Sequence, residues 1–121
     1  MCVPIGELIE NQYVDIVQPD VCHDGGILET LKIAAMAEAF GAEMAPHLYA
    51  GPVEWAANIQ LAAAIPNCLM AETIETPFHD ALIRGAIQVE DGFIPVPDAP
   101  GLGIERIDGL SMLPFDLAAG S

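Results

Sequence analysis

Apolar residues recur at the three- and four-residue spacing of an amphipathic helix in two stretches of the chain. The first covers residues 27–40 and is followed by Gly41, which suits the left-handed conformation of a helix C-terminus. The second covers about residues 53–64, with Pro52 at its first turn and Pro66 just after it. We expect the apolar face of the first helix to contain Ile27, Leu28, Leu31, Ala34, Ala35 and Phe40.

Three short apolar runs have the composition of β-strands and alternate with these helices. They lie at residues 13–18, 43–47 and 68–72. The DGG sequence at residues 24–26 favours a turn into the first helix, with Asp24 capping the free amide groups. Strands and helices that alternate with short connections are typical of parallel α/β proteins. The pattern therefore predicts an α/β fold.

The two ends of the chain carry weaker patterns. Residues 1–12 have helical spacing and predict the end of a helix. In the C-terminal part, prolines and glycines become frequent, and we predict a short helix over residues 78–84 and a hairpin-like turn at residues 90–92 (EDG). Residues 95–104 are rich in proline and glycine and predict an extended path.

An ionisable side chain stands at the end of each predicted strand: Asp20, His47 and Glu72. Because parallel strands end at one rim of a sheet or barrel, we expect these three to meet there. A carboxylate that accepts the imidazole N–H would make His47 a usable general base, and Asp20 is the candidate partner. Glu72 could donate a hydrogen bond to a developing oxyanion. The alternatives are a structural histidine and an exposed acid at a loop entry.

The remaining candidate residues are weaker. Tyr49 lies in the loop after His47, where it could contact a substrate or pack at the rim. Residues 22–24 (CHD) contain three potential ligand types, but adjacent side chains rarely reach one metal ion, which favours a loop with a capping aspartate. A small zinc centre built on His23, His47 and His79 is a further alternative.

Composition and charge exclude several classes of partner. The 53% of hydrophobic residues argues against a disordered chain. Asp and Glu number 18 against 3 Lys and Arg, for a formal net charge of −15, so neither nucleic acid nor an anionic membrane is an expected partner. Three cysteines without a C-x-x-C pair favour a reducing compartment. With no membrane span or secretory signal in the pattern, we expect a cytoplasmic protein.

Four groups of residues form an ordered set between about Leu8 and Glu105. They are residues 17–21 (VQPDV), 25–27 (GGI) with 32–34 (KIA), 45–47 (APH) with 51–52 (GP), and 96–98 (VPD) with 100–103 (PGLG). The set resembles the C-terminal part of the mandelate racemase/muconate lactonizing enzyme family of the enolase superfamily. It looks most like the sugar-acid dehydratases of the mandelate racemase group.

This resemblance implies a modified TIM (β/α) barrel, with residues 1–88 forming about strands six to eight and residues 89–121 returning into the capping domain. It implies that His47 is a general acid or base hydrogen-bonded to Asp20, and that Glu72 stabilises an enediolate. The family's shared reaction removes the proton α to a carboxylate with the help of Mg²⁺. Three acidic residues on the third to fifth strands hold that metal in the family, and we expect this chain alone to bind none.

We therefore expect a fragment or truncated homologue of an acid-sugar dehydratase or racemase that is inactive in isolation. The substrate of the intact enzyme would be a sugar acid or hydroxy acid. The alternative is a non-catalytic half-barrel that serves as a binding or assembly module. Because an open half-barrel exposes strand edges and apolar faces, we expect self-association or a homo-oligomer.

Overall fold

Helices and short parallel strands alternate in the computed structural model, which describes residues 4–73 and 89–104. This order confirms the predicted α/β class. The elements are α1 (Ile5–Glu10), β1 (Ile16–Val17), α2 (Ile27–Phe40), β2 (Glu43–Met44) and α3 (Pro52–Ala64).

The sheet is built on β2, which pairs in parallel on both of its sides. On one side Val17 of β1 lies opposite Met44. On the other side Cys68 forms a parallel bridge to Met44, and the amide of Leu69 donates to the Met44 carbonyl at 2.8 Å. The three predicted strands are therefore neighbours, with the β2 segment in the middle.

Proline makes the strands shorter than the predicted runs. Pro19 has no amide hydrogen to donate to the β2 segment. Pro46 has none to donate to the segment on the other side of β2, because alternate amides of a strand face opposite neighbours. Pairing resumes beyond them as a single parallel bridge between Asp20 and His47, where the His47 amide donates to the Pro19 carbonyl at 3.0 Å. The two side chains singled out in the sequence thus sit side by side at the ends of paired strands.

The bounds of α2 agree with the predicted helix, and Gly41 closes it in the left-handed conformation with φ of 79°. The predicted cap was wrong. The N-cap residue is Gly26 without a side-chain hydrogen bond, whereas Asp24 Oδ2 accepts the amide hydrogen of Asp20 at 2.7 Å. A short carboxylate often bonds the backbone of its own turn, and here it braces the turn rather than the helix.

The predicted apolar face of α2 was wrong in large part. The buried residues of this helix are Thr30, Ala34 and Ala37, whereas the side chain of Leu28 is 66% exposed. Because α2 carries apolar residues around most of its circumference, spacing alone does not select one face. Small side chains line the side that packs on α1, β2 and α3.

Two clusters of buried residues form the core. The first surrounds Met44 and joins the strands to α1, α2 and the end of α3. The second surrounds Trp55 on α3, and Ile94 and Leu102 of the C-terminal segment pack against it. The predicted turn at residues 90–92 is confirmed by an antiparallel bridge from Glu90 to Phe93. The segment that follows this turn packs on α3.

The helix predicted over residues 78–84 lies outside the described residues. Among the helices that the structure does describe, none has the length and apolar character needed to cross a membrane.

We predict that Met44→Ala lowers the free energy of unfolding by about 2–5 kcal/mol, because the substitution leaves a cavity at the centre of the first core cluster. Met44 is fully buried, whereas Met70 is 59% exposed and provides a matched control. Met70→Ala should change stability by less than about 0.5 kcal/mol in the same urea titration followed by circular dichroism. Equal losses in the two variants would contradict the described core.

Candidate functional site

The candidate site lies at the carboxyl ends of the paired strands. Asp20 and His47 occupy opposite positions of a parallel bridge, and the segment that leads to Glu72 pairs with the other side of β2. The side chain of Asn58 on α3 is buried, and its Nδ2 donates to the His47 carbonyl at 2.8 Å. This bond holds the end of the His47 strand against the helix.

Glu72 is the carboxylate that contacts His47. Its Oε2 lies 2.6 Å from His47 Nδ1 and also accepts the amide hydrogen of Leu48 at 2.9 Å. The Leu48 hydrogen bond, followed by that of His47, outweighs partial burial and lowers the pKa of Glu72. An ionised Glu72 favours the tautomer with hydrogen on Nδ1, which leaves Nε2 as the basic nitrogen.

In the structure Asp20 bonds to residues of its own turn, and His47 contacts Glu72 in place of the hydrogen bond to Asp20 that we predicted. Asp20 Oδ2 lies 2.6 Å from His23 Nδ1, and Asp20 Oδ1 accepts the amide hydrogens of Cys22 at 2.8 Å and His23 at 3.2 Å. These donors lie only two or three residues away, so no long-range placement is needed to reach them. The turn therefore competes with His47 for this carboxylate.

Electrostatics at Asp20 follow from these bonds. Burial raises the pKa of the Asp20 carboxyl, but the hydrogen bonds of His23, Glu54 and Cys22 together prevail and lower it. The same contact raises the pKa of the exposed His23 imidazole. Sequence reasoning treated His23 as a weak metal candidate, although its position three residues after Asp20 was compatible with a local ion pair.

Glu54 is a site residue that sequence reasoning missed. It lies in the first turn of α3 and is only 3% exposed, and its Oε2 accepts the amide hydrogen of Ala50 at 2.5 Å. Burial, followed by a hydrogen bond with Asp20, raises the pKa of Glu54. An acid in a first helical turn is ordinary in a sequence, since it favours the helix dipole. Its apolar neighbours Val53 and Trp55 were the available indication of burial.

Tyr49 lies where its predicted substrate contact is possible. Its ring is 79% exposed and stacks on the His47 imidazole, with ring centroids 6.4 Å apart and planes 3° from parallel. The contact itself stays a prediction.

The comparisons with known proteins decide the family. A family model described as "Enolase C-terminal domain-like" matches residues 3–108, which is most of the chain. The chain belongs to the enolase C-terminal domain-like family. This membership confirms the resemblance to mandelate racemase and muconate lactonizing enzyme that the sequence carried.

Two curated relatives show the range of reactions in this family. The chain is 38% identical over 102 residues to D-galactarolactone cycloisomerase of Agrobacterium fabrum. This match covers 76% of the chain and 27% of the relative. It is 35% identical over 105 residues to arabinonate dehydratase of Saccharolobus solfataricus, which covers 86% of the chain and 28% of the relative.

Two solved structures show the same fold. A mandelate racemase/muconate lactonizing enzyme-like protein from Roseovarius sp. TM1035 is 60% identical, with a TM-score of 0.81 over 84% of this chain and 26% of that one. An enolase from Pantoea ananatis with bound D-gluconate and Mg is 30% identical, with a TM-score of 0.74 over 83% of this chain and 25% of that one. This family member therefore spans about a quarter of the length of the relatives it matches.

Among the described residues of this family member, one group of closely spaced potential metal ligands does not suit Mg²⁺. The ligand atoms of this group, Asp20, Cys22 and Glu54, lie within 4.8 Å of one another. Mg²⁺ is bound by oxygen ligands in an octahedral arrangement, whereas the Cys22 thiol offers a sulfur atom. Burial, followed by the charges of Glu54 and Asp20, also raises the pKa of the Cys22 thiol. No step proposed below passes through a metal held by these residues.

We predict that Glu72→Gln lowers stability at neutral pH but not in acid. The folded pKa of Glu72 lies below its ordinary value of 4.5, so its contribution is present above pH 4.5 and is lost as pH falls through the folded pKa. The Glu72 side chain is 39% exposed, so solvent screening limits the effect to about 1 kcal/mol or less.

Urea titrations at pH 7 and at pH 3 measure this difference. Glu43→Gln, on the exposed side of β2, is the control and should change stability by less than about 0.5 kcal/mol at both pH values. A loss for Glu72→Gln that is as large at pH 3 as at pH 7 would contradict an ionised Glu72 at neutral pH.

Proposed function

We propose that this chain carries the acid–base histidine of an enzyme that removes the proton α to the carboxylate of a sugar acid, as an acid-sugar dehydratase or racemase. The observation that supports this most directly is the 2.6 Å contact between His47 Nδ1 and Glu72 Oε2 at the carboxyl ends of parallel strands. The relatives named above, a dehydratase and a cycloisomerase of sugar derivatives, support the same class of substrate.

In the proposed step His47 Nε2 takes the α-proton, and the electron pair of the broken C–H bond delocalises onto the substrate carboxylate as an enediolate. Glu72 stabilises the imidazolium that forms, because its charge and its hydrogen bond face Nδ1. In a dehydratase the enediolate then expels the β-hydroxyl group, which takes the proton from the His47 imidazolium and leaves as water. In a racemase a general acid of the intact enzyme on the opposite face would give the enediolate a proton, and the His47 imidazolium returns its proton to solvent.

The roles of the two carboxylates differ from those expected from the sequence. A group that stabilises an oxyanion by donating a hydrogen bond must be protonated, whereas the lowered pKa of Glu72 keeps it ionised. We therefore assign Glu72 to orienting His47. Asp20 contributes a negative charge to the site, since the parallel bridge places it on the strand end next to that of His47.

We further propose that the three paired segments correspond to about strands six to eight of a (β/α) barrel, and that residues 89–121 return into a capping domain. The intact enzyme would use Mg²⁺, as supported by the Pantoea ananatis structure with bound D-gluconate and Mg. Because the matched region is about a quarter of each relative, we propose that these 121 residues alone do not turn over a substrate.

A chimera tests the role of His47. The matched quarter of the Roseovarius protein is replaced by this chain, and exchange of the substrate α-proton is followed by proton NMR in deuterated water with Mg²⁺ and a panel of sugar acids that includes D-gluconate. We expect exchange for an acid that the unmodified host accepts. His47→Asn should slow it about 100-fold or more, as expected for loss of a general base.

Glu38→Gln is the control, because this exposed residue lies in the last turn of α2, at the end of the helix that leads into β2. Exchange that continues at the same rate in a folded His47→Asn chimera would show that another group removes the proton. Mg²⁺-dependent turnover by the isolated 121-residue chain would overturn the proposal that it is inactive alone.

A further inference from the structure

The carboxyl group of Glu54 is buried beside the site without a role in the proposed reaction. Its Oε2 accepts the Ala50 amide hydrogen, but its Oε1 is buried and meets no hydrogen-bond donor of the described residues. A buried carboxylate oxygen without a donor is costly, because it has lost its water and gained nothing in return. The structure therefore raises the question of what Oε1 contacts.

Asp20 is the candidate partner of Glu54 Oε1. One carboxyl oxygen of Asp20 and one of Glu54 lie within 4.8 Å of each other, and each group shifts the pKa of the other, downward for Asp20 and upward for Glu54. A hydrogen bond between two carboxyl groups requires a proton on one of them, since two adjacent anions repel strongly in a buried site.

The surroundings decide which group holds the proton. Asp20 receives two amide hydrogens and contacts the His23 imidazole, and these donors favour its anionic form. Glu54 is 3% exposed, and burial disfavours its anionic form more than the amide hydrogen bonds of Ala50 and Tyr49 favour it. Among the described residues, the charges of this pair also act on the Cys22 thiol and the His23 imidazole. The proton therefore belongs on Glu54.

We infer that Glu54 is a positioning residue: a neutral, buried acid that donates a hydrogen bond from Oε1 to the Asp20 carboxylate while its Oε2 holds the Ala50 amide. Glu54 thereby joins the turn after β1 to the loop after His47. It fixes the Asp20 charge at the end of the neighbouring strand and steadies the loop that carries Tyr49. The link to catalysis rests on the proposed function, whereas the proton location does not.

Two substitutions separate a neutral donor from an anion. Glu54→Gln retains both a donor for Asp20 and an acceptor for the Ala50 amide, whereas Glu54→Leu removes both at similar volume. The pKa of Asp20 is measured in the 121-residue chain by carbon-13 NMR of its carboxyl group. If Glu54 is neutral, the Gln variant should change the acid dissociation constant of Asp20 by no more than about twofold. The Leu variant should lower that constant about tenfold, which is a rise in pKa, because the donor that stabilises the Asp20 anion is gone.

The opposite sign overturns the inference. If Glu54 were an anion, removal of its charge would lower the pKa of Asp20 in both variants, because the nearby negative charge would be gone. A purely structural role would reduce stability without moving the pKa of Asp20. If the Leu variant does not fold, the carboxyl carbon of Glu54 in the unmodified chain decides: a protonated shift at neutral pH supports the inference and an ionised shift refutes it.

The chimera shows whether this positioning affects the reaction. Glu54→Gln should retain proton exchange, and Glu54→Leu should lower the rate constant about tenfold with little change in KM, as expected for a displaced Asp20 charge. An unchanged rate constant in a folded Glu54→Leu chimera would refute the link to catalysis. Because the Asp20 titration needs no substrate, failure of the proposed reaction and failure of the Glu54 assignment are distinguishable.

Discussion

The parallel register between β1 and β2 is the constraint on which the rest of the site depends. It places Val17 opposite Met44 and, beyond the two prolines, Asp20 opposite His47. A shift by one residue would turn Met44 out of the core and His47 away from the rim, because side chains alternate between the faces of a strand. The same register that buries the core therefore also brings the ionisable residues together.

Burial and donor number give three neighbouring carboxyl groups different properties. Glu72 is half-exposed and accepts two hydrogen bonds, so it is an anion suited to orient an imidazole. Asp20 is buried but surrounded by donors, which also favours the anion. Glu54 is more deeply buried, and its burial outweighs the hydrogen bonds from the amides of Ala50 and Tyr49, which favours the neutral acid. Environment assigns the role of each group, as it does in enzymes that use paired carboxyl groups for acid and base chemistry.

The helix α3 connects the core to the site. Its buried face packs around Trp55, while Glu54 and Asn58, one turn apart, reach the loop and the strand end next to His47. Residues of the C-terminal segment pack on the same helix, and Gln60 donates to the Pro97 carbonyl at 3.0 Å. The position of His47 is thus supported from two directions, by its strand neighbours and by a helix that is itself fixed in the core.

The sequence by itself determined the features that depend on neighbouring residues along the chain. The limits of α2, the glycine that ends it, the proline at the start of α3 and the order of the strand-end residues Asp20, His47 and Glu72 all follow from local spacing and backbone preference. Only the tertiary structure decided the partner of His47 and the burial of Glu54. Asp20 was the expected partner, whereas His47 contacts Glu72, and this choice depends on packing between residues more than twenty positions apart, which local pattern does not encode.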